Sequence, residues 1–231
     1  MLKRISLGEL FAEFIGSMFL VMAAVSSIIL FTVVLDSHIS VAILANAVTV
    51  AFVLCALIEI FGPISGAHFN PVVTMVMAMD RKIRLAKAIL FVLLQIIGGT
   101  AGTIISHLMF YNEMGSLLSV PDTARNEYIF FGEIFGTFIL VLAILVLVKI
   151  KSDKLPIIVG FLVGGQLMAT SSTMFANPQV TIARMFTGSA AGIRPIDGLV
   201  FILMQIIGAL LAYGVYRLMF SKNQLHFTEK Q

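Results

Sequence analysis

Asn70-Pro71-Val72-Val73-Thr74 and Asn177-Pro178-Gln179-Val180-Thr181 are two copies of one short phrase, each set in strongly apolar sequence. An asparagine in such surroundings is costly unless it has a partner or a task. Each Asn-Pro pair also has the form of a helix start. Asn is a favoured N-cap, and Pro at the first helical position loses no hydrogen bond that the helix needs. Two helix starts buried in a membrane would turn their positive ends and amide donors toward something small and neutral passing between them.

The membrane setting follows from composition. Mean hydropathy is +1.05, 59% of residues are hydrophobic and 12% are charged, which excludes an ordinary soluble domain. Apolar runs near 8–31, 40–61, 84–110, 128–149, 156–173 and 196–220 are each long enough for a helix across a core of ~30 Å. They are continuously apolar instead of alternating, which argues against a β-barrel. No connector exceeds about twenty residues, so the expectation is a single membrane domain over 1–231. The first run lacks a polar, small-residue cleavage region behind it and reads as a retained helix.

Charge sets the expected orientation. Lys3 and Arg4, then Arg81, Lys82, Arg84 and Lys87, then Lys149, Lys151 and Lys154, then Arg217, Lys222 and Lys230 make up most of the 15 Lys and Arg. Only Arg125, Arg184 and Arg194 fall on the other side. The bias predicts a multi-pass protein of the cell (inner) membrane with both termini cytoplasmic. The net charge of +3 is thus a topology signal, and no nucleic-acid partner is expected. Cys55, the one cysteine, reads as a small core residue. The 13 methionines form no metal-ligand pattern, and neither metal nor cofactor is expected.

The halves resemble each other beyond the Asn-Pro phrase. Phe11, Glu13, Gly16, Leu20 and Val21 recur as Phe131, Glu133, Gly136, Leu140 and Val141. Leu93, Gln95, Ile96, Ile97 and Gly98 recur as Leu203, Gln205, Ile206, Ile207 and Gly208. Three spans per half is an odd number, so the second half (about 127–220) enters from the opposite side to the first (about 6–110). That is an inverted repeat with a shared site near the bilayer midplane. Residues 70–79 and 177–187 are too short to cross and suit re-entrant half-helices whose N-termini meet. Gly62 and Gly66 are placed to supply irregular backbone. The pairs Gly98/Gly102, Gly132/Gly136 and Gly160/Gly164 suit close helix packing.

The segment Ser65-Gly66-Ala67-His68-Phe69-Asn70-Pro71-Val72-Val73-Thr74, the second Asn-Pro, and the paired Glu13 and Glu133 resemble the aquaporin (major intrinsic protein) family. The resemblance covers about residues 6–220. It implies an all-α membrane protein with six transmembrane helices and two re-entrant half-helices, and a passive channel with a homotetrameric assembly in contact with membrane lipid. It places Asn70 and Asn177 at the pore midplane; Val72 and Gln179, beside them in the motif, are expected at the same level, although in the family the third motif residue mostly packs. Family members usually carry Asn-Pro-Ala twice; here the third residues are Val72 and Gln179. Water channels and glycerol facilitators of the family carry Arg three residues after the second Asn, where this chain has Val180. Ungapped spacing puts the other filter positions at Val50, Gly165 and Met174, with Thr49 as the alternative to Val50.

A filter of Val50, Gly165, Met174 and Val180 has no cation and no aromatic or histidine constriction, so it predicts a wider and more apolar passage. The stretches Val180-Thr181-Ile182-Ala183-Arg184 and Ala191-Gly192-Ile193-Arg194-Pro195 look like a bacterial aquaglyceroporin-like branch associated with arsenic resistance. The implied solutes are glycerol-like polyols or undissociated metalloid hydroxides such as arsenous acid (arsenite), with accompanying water. A mainly water-selective channel is the nearest alternative, and a proton-coupled transporter ranks lower. An enzyme is not expected, since the sequence holds no nucleophile–base set or metal-ligand cluster.

Several residues have two readings at this stage. Glu13 and Glu133 either relay protons or accept hydrogen bonds from the backbone of the re-entrant loops, and the repeat symmetry favours the second. Arg184, one turn beyond Val180, either replaces the missing filter Arg from the outer vestibule or ties down a loop through Asp197 or backbone carbonyls. Gln179 either projects an amide into the midplane or packs behind it. His68 either gates the inner side or packs.

Overall fold

A computed structural model of the chain describes residues 5–125 and 128–221. Lys3, Arg4, Lys222, Lys230 and position 127, where the second half was expected to begin, lie outside the described residues. The first helix starts at a capping box: Ser6 accepts from the Glu9 amide and the Glu9 carboxylate accepts from the Ser6 amide. From there α1 runs over Leu7–Ile29 and ends in a π-helical turn, Leu30–Val34. Then follow α2 (Ile39–Ser65), α3 (Pro71–Met79), α4 (Leu85–Met109), the short α5 (Tyr111–Met114), α6 (Ile129–Lys149), α7 (Leu155–Ala169), α8 (Pro178–Arg184) and α9 (Pro195–Met219).

The helices realise the expected plan. Among the described residues, five helices are long and apolar enough to cross a membrane, and α7 is a shorter apolar helix of 15 residues. The span expected over 156–173 is therefore cut back at Ala169. At 1.5 Å per residue α7 is about 22 Å long, less than the hydrocarbon core. The run Thr170-Ser171-Ser172-Thr173 ends it, because such side chains compete for the backbone bonds a helix needs. Thr170 turns to an extended conformation, and the chain descends irregularly toward Asn177.

Packing repeats between the halves. α1 lies against α4 and α2, α6 lies against α9 and α7, and α2 meets α7 to join the halves. Each half-helix packs against both α4 and α9. The glycine pairs permit the closest approaches: a Cβ at Gly98 would overlap the Phe14 carbonyl, and one at Gly208 would overlap the Ile134 carbonyl. Polarity is reversed relative to a soluble protein. Glu13, Gln95, His107, Glu133 and Gln205 are fully buried, while Phe11, Phe52, Phe131, Phe135 and Phe161 are exposed on the outer face. Those aromatic rings suit a lipid solvent.

The repeated close approach makes a prediction. Gly98→Leu and Gly208→Leu should each destabilise the protein by about 1–3 kcal/mol or more through overpacking. Gly214→Leu, where an added Cβ meets nothing within 4 Å, should leave it unchanged. Thermal unfolding of the detergent-solubilised protein measures this; equal midpoints for all three variants would contradict the packing assignment.

Candidate functional site: a cavity between two asparagine caps

Both Asn-Pro phrases form the helix starts that their chemistry requires. Asn70 Oδ1 accepts from the Val72 amide at 3.0 Å, and Asn177 Oδ1 accepts from the Gln179 amide at 3.2 Å. Pro71 and Pro178 occupy the first helical turn. The caps then cross. Asn70 Nδ2 donates to the Ala176 carbonyl at 2.8 Å, and Asn177 Nδ2 donates to the Phe69 carbonyl at 2.8 Å. Each Asn thus fixes the residue preceding the other, which holds the two half-helices N-terminus to N-terminus. One amide hydrogen on each side chain is left for another acceptor.

The approaches to the two caps have a shared irregular backbone. Ala67 and Phe69 precede Asn70 with φ of 49° and 44°, and Met174 and Ala176 precede Asn177 with φ of 37° and 46°. Left-handed conformations are unfavourable for residues with a Cβ, by about 1–2 kcal/mol each. Gly66, with φ of 94°, contributes as expected, whereas Gly62 lies inside α2. Buried carboxylates hold the strained segments. Glu13 accepts from the His68 and Phe69 amides at 3.0 and 2.9 Å, from Ser65 Oγ at 2.6 Å and from Gln95 Nε2 at 2.7 Å. Glu133 accepts from the Phe175 and Ala176 amides at 2.9 and 2.8 Å and from Gln205 Nε2 at 2.6 Å. Gln95 and Gln205 each donate onward, to Thr74 Oγ1 and Thr181 Oγ1, both at 2.9 Å.

The sequence displayed Gln95 and Gln205 as repeat partners but assigned them no role. Thr74 and Thr181, each four residues after its Asn, went unremarked. The signal for all four was their presence in the repeated phrases.

A narrow cavity of about 70 Å³ lies between the caps. Residues 67–70 and 174–177 line it. Of the expected filter residues, Val50, Met174 and Val180 are in the wall, and Thr49 is not among its lining residues. Gly165 is not in the wall: it is exposed on the outside of α7, where an added Cβ would meet open space. The face of α7 toward the cavity instead carries Val159, Val163 and Leu167, one residue per turn. The ungapped count back from Asn177 chose the wrong face because α7 ends early and the intervening loop is irregular.

Val72 and Gln179, expected at the pore midplane, are also absent from the wall. Val72 is buried with Val76, Val141 and Ala209 in a cluster between α3, α6 and α9. Gln179 is fully buried and points across to α4, where Gly99 leaves room for its Oε1. Its Nε2 donates to the Phe69 carbonyl at 3.2 Å, alongside Asn177. On a helix the third residue after each Asn shares its face, so Val73 and Val180 turn inward and their predecessors turn away.

Arg184 lines one end of the cavity, beyond Val180. Its guanidinium carbon sits 3.9 Å from the centre of the Phe175 ring, and Nε donates to the Ala191 carbonyl. Asp197 is engaged elsewhere, by Arg194 and by the Arg125 amide. His68 lines the opposite part, its Nδ1 3.1 Å from Thr74 Oγ1. Asn46, which sequence reasoning passed over, is buried and lines the same wall as Val50. Its signal was a lone amide in an apolar run, one turn from Val50. Among the described residues, no group of three or more His, Cys, Asp or Glu could hold a metal.

Two half-helices meeting at crossed asparagine caps around a narrow, mostly aliphatic cavity define a membrane channel. Comparison with known proteins identifies its family. The model of the major intrinsic protein family matches residues 2–176, and the chain belongs to that family. The aquaglyceroporin AqpS of Rhizobium meliloti (strain 1021) is 34% identical over 206 residues, covering 89% of this chain and 87% of that protein. An aquaglyceroporin of Toxoplasma gondii is 31% identical over 183 residues, covering 74% and 67%. The X-ray structure of the aquaglyceroporin from Plasmodium falciparum superposes with a TM-score of 0.68 at 19% identity, covering 90% of this chain and 94% of that one, and has the same fold. The protein is a multi-pass membrane channel for small neutral solutes and water.

The geometry predicts different outcomes for two buried polar groups. Glu133→Ala removes the acceptor of two loop amides and of Gln205, each an unpaired buried donor costing about 1–3 kcal/mol. A large loss of thermal stability is expected, and a midpoint within a few degrees of wild type would show that the carboxylate does not hold the loop. Gln179→Ala should cost only about 1 kcal/mol and leave osmotic water flow within about twofold. A larger change in flow would place its amide in the water path.

Proposed function

We propose that the channel passes glycerol-like polyols and undissociated metalloid hydroxides such as arsenous acid, with accompanying water. The observation that carries this reading is the wall at the level of Val50, Met174 and Val180. Where water channels and glycerol facilitators of the family both carry an arginine, a valine contributes only methyl groups, so a solute there meets no fixed cation and more room. The crossed asparagines, each with one amide hydrogen to spare, supply donors for a solute oxygen at the centre. Both half-helices turn positive ends to the same place, which disfavours protons and cations. The two relatives named as aquaglyceroporins support a solute range beyond water.

One observation favours the rival water-selective reading. Leu167 and Val163, in place of Gly165, put larger side chains on the α7 wall. A proton-coupled mechanism ranks lower, because Glu13 and Glu133 are engaged by backbone amides and glutamine side chains. The charge bias supports an inner-membrane setting with both termini cytoplasmic. Family membership supports a homotetramer with one channel per subunit.

Stopped-flow light scattering on proteoliposomes tests the solute range. Glycerol uptake well above that of empty vesicles is expected, and uptake no faster than theirs would overturn the reading. Val180→Arg should cut glycerol permeability about tenfold or more while leaving water flow measurable, since here it adds a long side chain to a wall already lined by Val163 and Leu167.

A further inference from the structure

The outer part of the cavity holds two polar side chains that the aliphatic level does not account for. Asn46 lies one turn from Val50 on α2, and Arg184 lies one turn from Val180 on α8. A chain of contacts through α1 and α4 links their seats. Asn46 Nδ2 donates to the Ala24 carbonyl at 2.9 Å and to Ser27 Oγ at 2.8 Å. The neighbouring Ser26 bonds Ser106 at 3.0 Å. One turn earlier on α4, Thr103 donates to the carbonyl of Ala183, the residue before Arg184.

Both side chains are held with one polar edge uncommitted. The Asn46 amide nitrogen spends its two hydrogens on α1, which orients the side chain and leaves Oδ1 without a donor among the described residues. That oxygen is not enclosed by protein, and the residue borders the cavity. Arg184 is fixed by the Phe175 ring and the Ala191 carbonyl. Phe175 is itself anchored through its amide to Glu133. The terminal Nη atoms of Arg184 have no hydrogen-bond acceptor among the described residues, and this residue also lines the cavity.

We propose that Asn46 and Arg184 form the selective outer step of this channel, one turn outside Val50 and Val180, and recognise neutral solutes that carry a hydrogen-bond donor and an acceptor close together. A hydroxyl of a polyol donates to Asn46 Oδ1 while a neighbouring oxygen accepts from the Arg184 fork. A solute shedding water at the aliphatic level thus exchanges its hydration for protein bonds just before it enters. The fixed guanidinium also opposes cations there. This inference rests on the reading of the Val50–Val180 level as an aliphatic passage that admits polyols.

Proteoliposomes carrying Asn46→Leu, Arg184→Met and Arg184→Lys test it, with glycerol and water as the probes. Asn46→Leu keeps the shape and removes the acceptor, and Arg184→Met removes the donors. Each should lower the glycerol-to-water permeability ratio about fivefold, the worth of one hydrogen bond, with water flow within about twofold of wild type. Arg184→Lys, which keeps a cationic donor, should recover part of the ratio. An unchanged ratio in Asn46→Leu and Arg184→Met, or a rise in either, overturns the proposal.

A second arm needs no solute beyond water and still decides the matter if a variant fails to fold. In a Cys55→Ser background, an external membrane-impermeant thiol reagent should block water flow quickly through Asn46→Cys. It should act about tenfold more slowly on Val180→Cys, which lies behind the outer step. Equal rates overturn the proposal. If wild-type vesicles exclude glycerol, the polyol-passage reading falls by itself, and this second arm alone judges the pair.

Discussion

Backbone groups buried in a membrane must find partners inside the protein, and this constraint governs the structure at its centre. Helices meet it within themselves, but the chain approaching Asn70 and Asn177 is not helical. Glu13 and Glu133 meet the need from outside, each taking two consecutive loop amides on one carboxylate. Gln95 and Gln205 each donate one further bond to a carboxylate and a second to Thr74 or Thr181 behind it. Only with these bonds in place can Ala67, Phe69, Thr173, Met174 and Ala176, all carrying a Cβ, sit at positive φ and swing the two caps into register. The crossed asparagine bonds, the cavity between them and the inward turn of Val73 and Val180 all follow from that register.

The same economy explains why charged and polar groups are concentrated on the axis while aromatic rings face outward. An intramembrane carboxylate is tolerable when its acceptor sites are occupied by fixed donors. Glu13 has four such donors, which makes it a structural group more readily than a mobile proton carrier. The repeat doubles this arrangement, so a single local solution, found once, serves both ends of the channel.

How much of this was legible in the sequence depended on whether the information was local. The capping role of Asn70 and Asn177 is a property of the dipeptide and could be read directly. The pairing of Glu13 with Glu133 was visible because the repeat aligned them. What failed was direction around a helix. Gly165 was placed in the wall by counting residues through a loop whose irregularity the count could not know. Val72 and Gln179 were placed at the midplane because they belong to the motif, although helical geometry turns the second residue after the cap away from the axis. Asn46 escaped notice since it has no repeat partner and no motif around it. Arg184 could be placed near the outer mouth from the sequence, but its seat on Phe175 required knowing how the second loop folds.

Gln179 breaks the symmetry of the two halves in a way that reaches the axis without touching it. A carbonyl oxygen has two lone pairs. On the Ala176 carbonyl, Asn70 takes one. On the Phe69 carbonyl, Asn177 and Gln179 together take both. Two otherwise matched thresholds therefore differ in basicity: one retains an acceptor for a passing hydroxyl, and the other is saturated by the protein itself. A solute turning over at the centre exchanges its bonds between unlike neighbours, so the inward and outward faces of the crossing are chemically distinct even though the backbone that builds them is nearly the same.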